Sequence, residues 1–413
     1  MLLDKNTIRE RCLTAIKDEW TASPDSFPDF LEEIPEEIRT NNEQYIRMIS
    51  DDFQKLLKSF PIHSRGRKKW KLKMQDMLGH VLLEETIIGA HFAMDQPTLG
   101  AFQDELKDFL LHVRRFAPEL PLDGIAQATR NYIVYAMFNE IHQMKPGFSM
   151  AGFGYSMLYP FTDNFIDSPE YSDLEKRKYN RIIRDKLEGK EVRPLTLHQK
   201  KTCELLSAIE SEYPRDSGSA IFTLLLMMLE AQEDSLRQQN KREALSLSER
   251  MDISLCKGGL SVLIDRFLVK KEITESDLTF YLGFGFFLQL ADDLQDIKDD
   301  SMQGNQTILT MDLHCEQEEK IANKTLHFMN RISKGFHADN EAFMGFILSN
   351  CYQLIYSSVI GSREFFSQAY LDKLEKYLPV TYPFLENIKK NQMDTRDIKI
   401  QDKYMKIMDE MIF

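Results

Sequence analysis

The segment Leu278–Asp300, LTFYLGFGFFLQLADDLQDIKDD, is apolar for most of its length and then becomes densely acidic. On a helix turning about 100° per residue, Gly285, Gln289, Asp292, Asp293, Asp296, Asp299 and Asp300 fall within one arc of roughly 120°. Carboxylates stacked on one face repel one another, which raises their pKa values unless cations neutralise them. An apolar helix tipped with aspartates therefore reads as a divalent-cation platform. Oxygen ligands with no paired His select Mg²⁺ over zinc or iron. A solvated acidic helix end is the plainer alternative, and the Phe/Leu run before Asp292 weighs against it.

A second acidic pair lies in Met157–Ser168, MLYPFTDNFIDS. Asp163 and Asp167 are one helical turn apart and share a face, so both can reach one ion. Below them on that face come Tyr159, Ser156 and Gly152, the last about 16 Å down at 5.4 Å per turn. Small side chains beneath a carboxylate pair predict a cavity. Two aspartate clusters above apolar shafts can clamp Mg²⁺ around a diphosphate while a hydrocarbon tail fills the cavity, closed to water.

Positioning such groups requires rigid elements, and the sequence supplies helices. Only 18 Gly and 14 Pro occur in 413 residues, 43% of them hydrophobic. Helical periodicity runs over roughly 38–60, 65–93, 98–116, 122–143, 148–167, 170–188, 196–212, 217–238, 247–270, 275–299, 306–333, 338–362 and 379–391. Its breaks fall at signals such as Pro61, Pro97, Pro146-Gly147, Pro194, Pro214 and Gly304-Asn305. Alternating strand segments are absent. The expected fold is all-α: one large bundle with a central apolar cavity. Residues 1–37 form an N-terminal helix and a Pro-containing loop, about 125–310 carry both Asp motifs, and 311–413 add C-terminal helices.

The net charge of −13 and the lack of a basic stripe argue against nucleic-acid binding. Five scattered cysteines with no CxxC pair indicate neither a zinc cage nor a disulfide framework. The start, charged from Asp4, has no apolar signal core. The uncharged run Ala342–Ser362 carries enough Ser, Asn and Gln to read as a buried helix and not a membrane span. The expectation is a soluble cytoplasmic protein, with peripheral membrane contact and homodimerisation left open.

The stretch GFGFFLQLADDLQD resembles the second aspartate-rich motif of the trans-isoprenyl diphosphate synthase and class I terpene synthase superfamily. Gly283, Gly285, Gln289, Asp292, Asp293 and Asp296 carry that match. SLCKGGLSVLIDRF is similar to the superfamily's Lys-containing helix, which makes Lys257 a diphosphate ligand. DNFID, Asp163 to Asp167, stands where the first aspartate-rich motif belongs. The resemblance spans roughly residues 125–310. It implies three Mg²⁺ between Asp163/Asp167 and Asp292/Asp293/Asp296, with Lys257, Gln289, Arg177 and Arg181 on the diphosphate. Phe153, Tyr159, Tyr281, Phe284 and Gly285, with Gly152 and Ser156, are the expected pocket lining, where ring faces stabilise cations.

The departures matter too. The first motif reads DNxxD, no Arg-Arg pair follows it closely, and no Gly-Gly-Lys segment for isopentenyl diphosphate is recognisable. The expected activity is therefore a terpene synthase similar to the bacterial large-terpene synthases, ionising one long prenyl diphosphate of 20 or 25 carbons. A chain-elongating or head-to-head prenyltransferase is the runner-up. An all-α Mg²⁺-dependent nucleotide hydrolase and a non-catalytic helical partner subunit are the rivals from other classes. A di-iron bundle needs Glu-x-x-His pairs, and the sequence has none.

Overall fold

A computed structural model describes residues 8–168, 170–215, 220–240, 242–311, 313–391 and 398–413. These residues form eighteen α-helices and no strand. In chain order they are α1 (Leu13–Ala22), α2 (Glu36–Lys58), α3 (Ser64–Glu84), α4 (Ala90–Ala93), α5 (Gln96–Phe116) and α6 (Leu122–Ile141). Next come α7 (Met150–Asp167), α8 (Asp173–Leu187), α9 (Leu197–Glu212), α10 (Ala220–Ser235), α11 (Leu247–Val269) and α12 (Glu275–Gln295). The last six are α13 (Ile297–Gln303), α14 (Cys315–Lys334), α15 (Glu341–Gly361), α16 (Gln368–Leu374), α17 (Tyr382–Asn391) and α18 (Ile398–Ile412).

The chain divides into two compact units, Met1–Asp29 with Gln127–Ser367, and Phe30–Ala126 with Gln368–Phe413. The second has a core of its own, in which Leu57, Trp70 and Met74 pack with Ile407 of α18. Arg67 and Glu410, 343 positions apart, pair across that core at 3.2 Å. Its helices come from two distant stretches of chain, so no linker composition betrays the division. Both aspartate clusters belong to the first unit.

Local chemistry starts the helices that matter. Ser246 with Glu249 forms a reciprocal capping box at the head of α11, and Thr274 with Asp277 does the same for α12. Asp277 also receives Arg266 of α11 at 2.9 Å, an ion pair between two buried side chains. That pair ties the end of one helix to the start of the next. Above it α11 and α12 approach until backbones touch: a Cβ built on Gly285 would lie 2.1 Å from the carbonyl oxygen of Gly258. Only glycine permits that approach. The run around Ala342–Ser362 is α15, the one described helix long and apolar enough to cross a membrane, and half of its apolar window is buried within the protein.

Three expected spans change: that over 65–93 breaks after Glu84, with only Ala90–Ala93 helical beyond it. The single helix over 275–299 ends at Gln295; Asp296 leaves helical geometry at φ −103°, ψ 10° and α13 begins afresh. The span 306–333 becomes helical only from Cys315, because Gln306 and Thr307 instead serve buried Arg250 through their oxygens. Helices α16 and α18 have no counterpart among the expected spans.

Candidate functional site

The tip of α12 gathers the acidic groups. Asp293 is buried, its Oδ1 accepting a 2.9 Å hydrogen bond from Gln289 one turn earlier. Its Oδ2 is also buried and has no hydrogen-bond partner. Burial, and after it the neighbouring Asp292 and Asp300, push the Asp293 carboxyl up to about 7. Asp296 rises to about 6 through burial and repulsion from Asp292, Asp300 and Asp299. The Asp292 carboxyl reaches solvent, yet the protein crowded around it still raises its pKa, against the pull of Lys257 and Arg130. The C-cap at Asp296 puts the last two carboxylates on a new helix, α13, from which both still act on Asp296. Asp299 stands exposed, while Asp300 accepts from Asn305 at 2.8 Å.

Lys257 and Arg130 thus supply the positive field over Asp292. Lys257 was legible from its helix. Arg130, on α6 and 127 positions before Lys257, carried no sequence signal.

Asp163 sits half-buried near the end of α7, where it receives Gln232 of α10 and, at 3.1 Å, the hydroxyl of Thr162. The side chain of Asp167 lies outside the described residues. Pro160 does not end α7, which runs from its Ser149 cap through to Asp167. Beneath Asp163 opens a small hollow of about 50 Å³, walled by Leu158, Ile183, Leu206, Leu225, Met228 and Leu229, with Tyr155, Tyr159 and Gln232 among its polar atoms. That volume lies well below the usual range of small-molecule sites.

Much of the expected pocket lining lies elsewhere. The space beside Gly152 is filled by the rings of Tyr135 and Tyr132, 3.1–3.3 Å from where a Cβ would stand. Ser156 is fully buried and accepts from Asn131 at 3.3 Å. The small face of α7 therefore admits α6, not substrate, and the depth argument for 20 or 25 carbons loses its footing. Tyr281 donates or accepts a 2.7 Å bond with His142 and packs against Phe138 and Phe336. Phe284 stacks on Phe280 and Phe287. Phe153 is buried beside Phe148, and Gly285 is the helix crossing itself. Of the aromatic residues expected in the pocket, Tyr159 lines the hollow.

The basic residues of α8 are also redistributed. Arg177 and Arg181 are exposed, Arg181 pairing with Asp185 one turn on. Arg184 is the one that reaches α10, at 2.7 Å from Glu233.

Gly152→Phe is accordingly expected to lower stability by about 1–3 kcal/mol through overpacking rather than shorten any preferred substrate. A chemical-denaturation midpoint checks the loss. An unchanged midpoint would mean that the rings of Tyr132 and Tyr135 yield freely.

Among the described residues no three His, Cys, Asp or Glu side chains converge as a ready-made metal cage. Mg²⁺ does not need one, since it binds through one or two carboxylates, water and substrate phosphates. The unpartnered Oδ2 of Asp293 and the crowded carboxylates around it suit such an ion. No protein-family model matches the chain, and no curated protein or solved structure matches it.

Proposed function

We propose that the protein is a Mg²⁺-dependent class I terpene synthase that ionises a linear prenyl diphosphate and releases diphosphate. The observation that carries this reading is the pairing of unlike environments. Cationic Lys257 and Arg130 flank crowded carboxylates at the tip of an apolar helix, and Asp163 overlooks an apolar hollow in the same unit. A diphosphate needs the first and an isoprenoid chain the second.

In this reading Asp292, Asp293, Asp296 and Asp163 hold Mg²⁺, with Asp167 joining by its place in the first motif. Bound Mg²⁺ supplies charge neutralisation for the departing diphosphate. Lys257 and Arg130 orient its oxygens, while Gln289 fixes the Asp293 carboxylate. The apolar walls below Asp163 keep water from the cation, and the Tyr159 ring face is available to stabilise it.

The test is incubation with all-trans prenyl diphosphates of 10 to 25 carbons, with Mg²⁺ or with chelator, and with or without isopentenyl diphosphate. Mg²⁺-dependent diphosphate release from a single allylic substrate, with a hydrocarbon or alcohol product, is expected. An obligatory requirement for isopentenyl diphosphate would make the protein a prenyltransferase. Phosphate or diphosphate release confined to nucleoside triphosphates would make it a hydrolase.

A further inference from the structure

The basic run at the head of α3 has no part in the chemistry assigned so far. Between Phe53 and Gln75 the chain carries eight Lys and Arg and no Asp or Glu, although its net charge is −13. Six of the eight fall in Arg65–Lys73, within the first three turns of α3. On that helix Arg65, Lys68, Lys69 and Leu72 share an arc of about 100°, and all four are exposed. The opposite face is structural. Trp70 and Met74 enter the core of the second unit, and the Trp70 indole donates to the Leu56 carbonyl at 2.9 Å. Arg67 lies on that inner face too, 3.2 Å from Glu410.

Two features set the outer face apart from an ordinary solvated one. Arg65, Lys68, Lys69 and Lys73 meet no carboxylate among the described residues, so four positive charges stand together unneutralised. They crowd a helix start that has no acidic residue in its first turn, where the macrodipole favours anions. Folding gains nothing from that arrangement. Large apolar side chains also stand among the charges: Ile62, 87% exposed just before the helix, and Leu72, 58% exposed within it. The nearby aromatic rings are turned away, since Trp70 is buried with Phe60 packed edge-on against it at 4.9 Å. A single-stranded nucleic acid would need such rings outward for stacking. Basic side chains interspersed with exposed aliphatic ones suit the headgroup region of an anionic bilayer instead.

We propose that the first three turns of α3, together with Ile62, dock this protein on an anionic phospholipid surface. Arg65, Lys68, Lys69 and Lys73 lie among the lipid phosphates, and Ile62 and Leu72 enter the boundary between headgroups and acyl chains. Asp76, its side chain 78% exposed, follows on the same face and marks the end of the contact. Each Lys or Arg close to such a surface is worth about fivefold in affinity. Binding is therefore reversible and weakens with salt.

The test is co-sedimentation of the full chain with phosphatidylcholine vesicles, with and without about one quarter phosphatidylglycerol. Binding is expected to the anionic vesicles alone and should fall steeply as salt is raised. Lys68→Gln with Lys69→Gln should weaken it about 25-fold, and Leu72→Ser at least about threefold. Thermal midpoints of these variants should match the parent, because the side chains replaced are exposed. Lys178→Gln with Lys334→Gln removes the same charge from exposed positions elsewhere and should leave binding unchanged. Equal binding to neutral vesicles, binding to neither, or an equal loss in both double variants overturns the proposal. So does retention on homopolymer RNA in place of vesicles, which would make this face a nucleic-acid site. No turnover is measured, so failure of the proposed reaction would leave these results standing.

Discussion

Asp292→Ala is expected to cut Mg²⁺-dependent diphosphate release by at least about 100-fold, the scale seen when a charge-stabilising group is removed, with no loss of thermal stability. The carboxylates at the end of α12 oppose one another in the metal-free protein, and Asp292 raises both Asp293 and Asp296. Removing one negative charge relieves its neighbours while emptying the position faced by Lys257 and Arg130. A variant that keeps most of the parent rate at saturating Mg²⁺ would remove Asp292 from the site.

The same electrostatics set a pH dependence. Asp293 and Asp296 are raised in the folded state, to about 7 and about 6, from an ordinary value of 3.8. Their contribution to stability is therefore complete below pH 3.8 and is lost as pH climbs through 6 and 7. For buried Asp293 the full shift corresponds to roughly 4 kcal/mol at most. In chelator the Tm should fall between pH 5 and pH 8, and Mg²⁺ should recover much of the loss at the upper end. A flat profile in chelator would show that these carboxylates are not in conflict.

Gly285→Ala should be the most damaging single methyl group in the chain. Its Cβ would stand 2.1 Å from the Gly258 carbonyl oxygen and 2.8 Å from the Gly259 Cα. Those atoms are backbone and cannot swing aside, so α11 and α12 must separate along the whole face that carries Lys257 and Asp292. The expected cost is about 3 kcal/mol or more, at or beyond the top of the usual overpacking range. Total stability is only about 5–15 kcal/mol. Gly345 provides the opposite sign: it lies exposed within α15 with no atom within 4 Å of its would-be Cβ. Gly345→Ala should therefore stabilise by about 0.5–1 kcal/mol, since alanine gives up less backbone freedom on folding. Denaturant midpoints of the two variants should move in opposite directions. Equal midpoints would mean that the helix crossing is looser than its backbone contact implies.

By itself the sequence determined that the described chain is helical, because period, caps and breakers are local properties. Ser246 with Glu249 and Thr274 with Asp277 place two helix starts unaided. It also determined that carboxylates crowd the end of an apolar helix, since Asp292, Asp293 and Asp296 are neighbours along the chain. Tertiary structure decided everything that depends on which face meets which. Arg130 comes within electrostatic range of Asp292, and Gln232 reaches Asp163, only through packing of separate helices. Small residues are ambiguous in a sequence because a missing side chain can leave a void or admit a neighbour. At Gly152 the neighbour is a tyrosine ring, and at Gly285 it is a backbone. The basic run Arg65–Lys73 is plain along the chain. That Trp70 and Met74 turn into a core while Lys68, Lys69 and Leu72 face outward became visible only once the surrounding helices had packed.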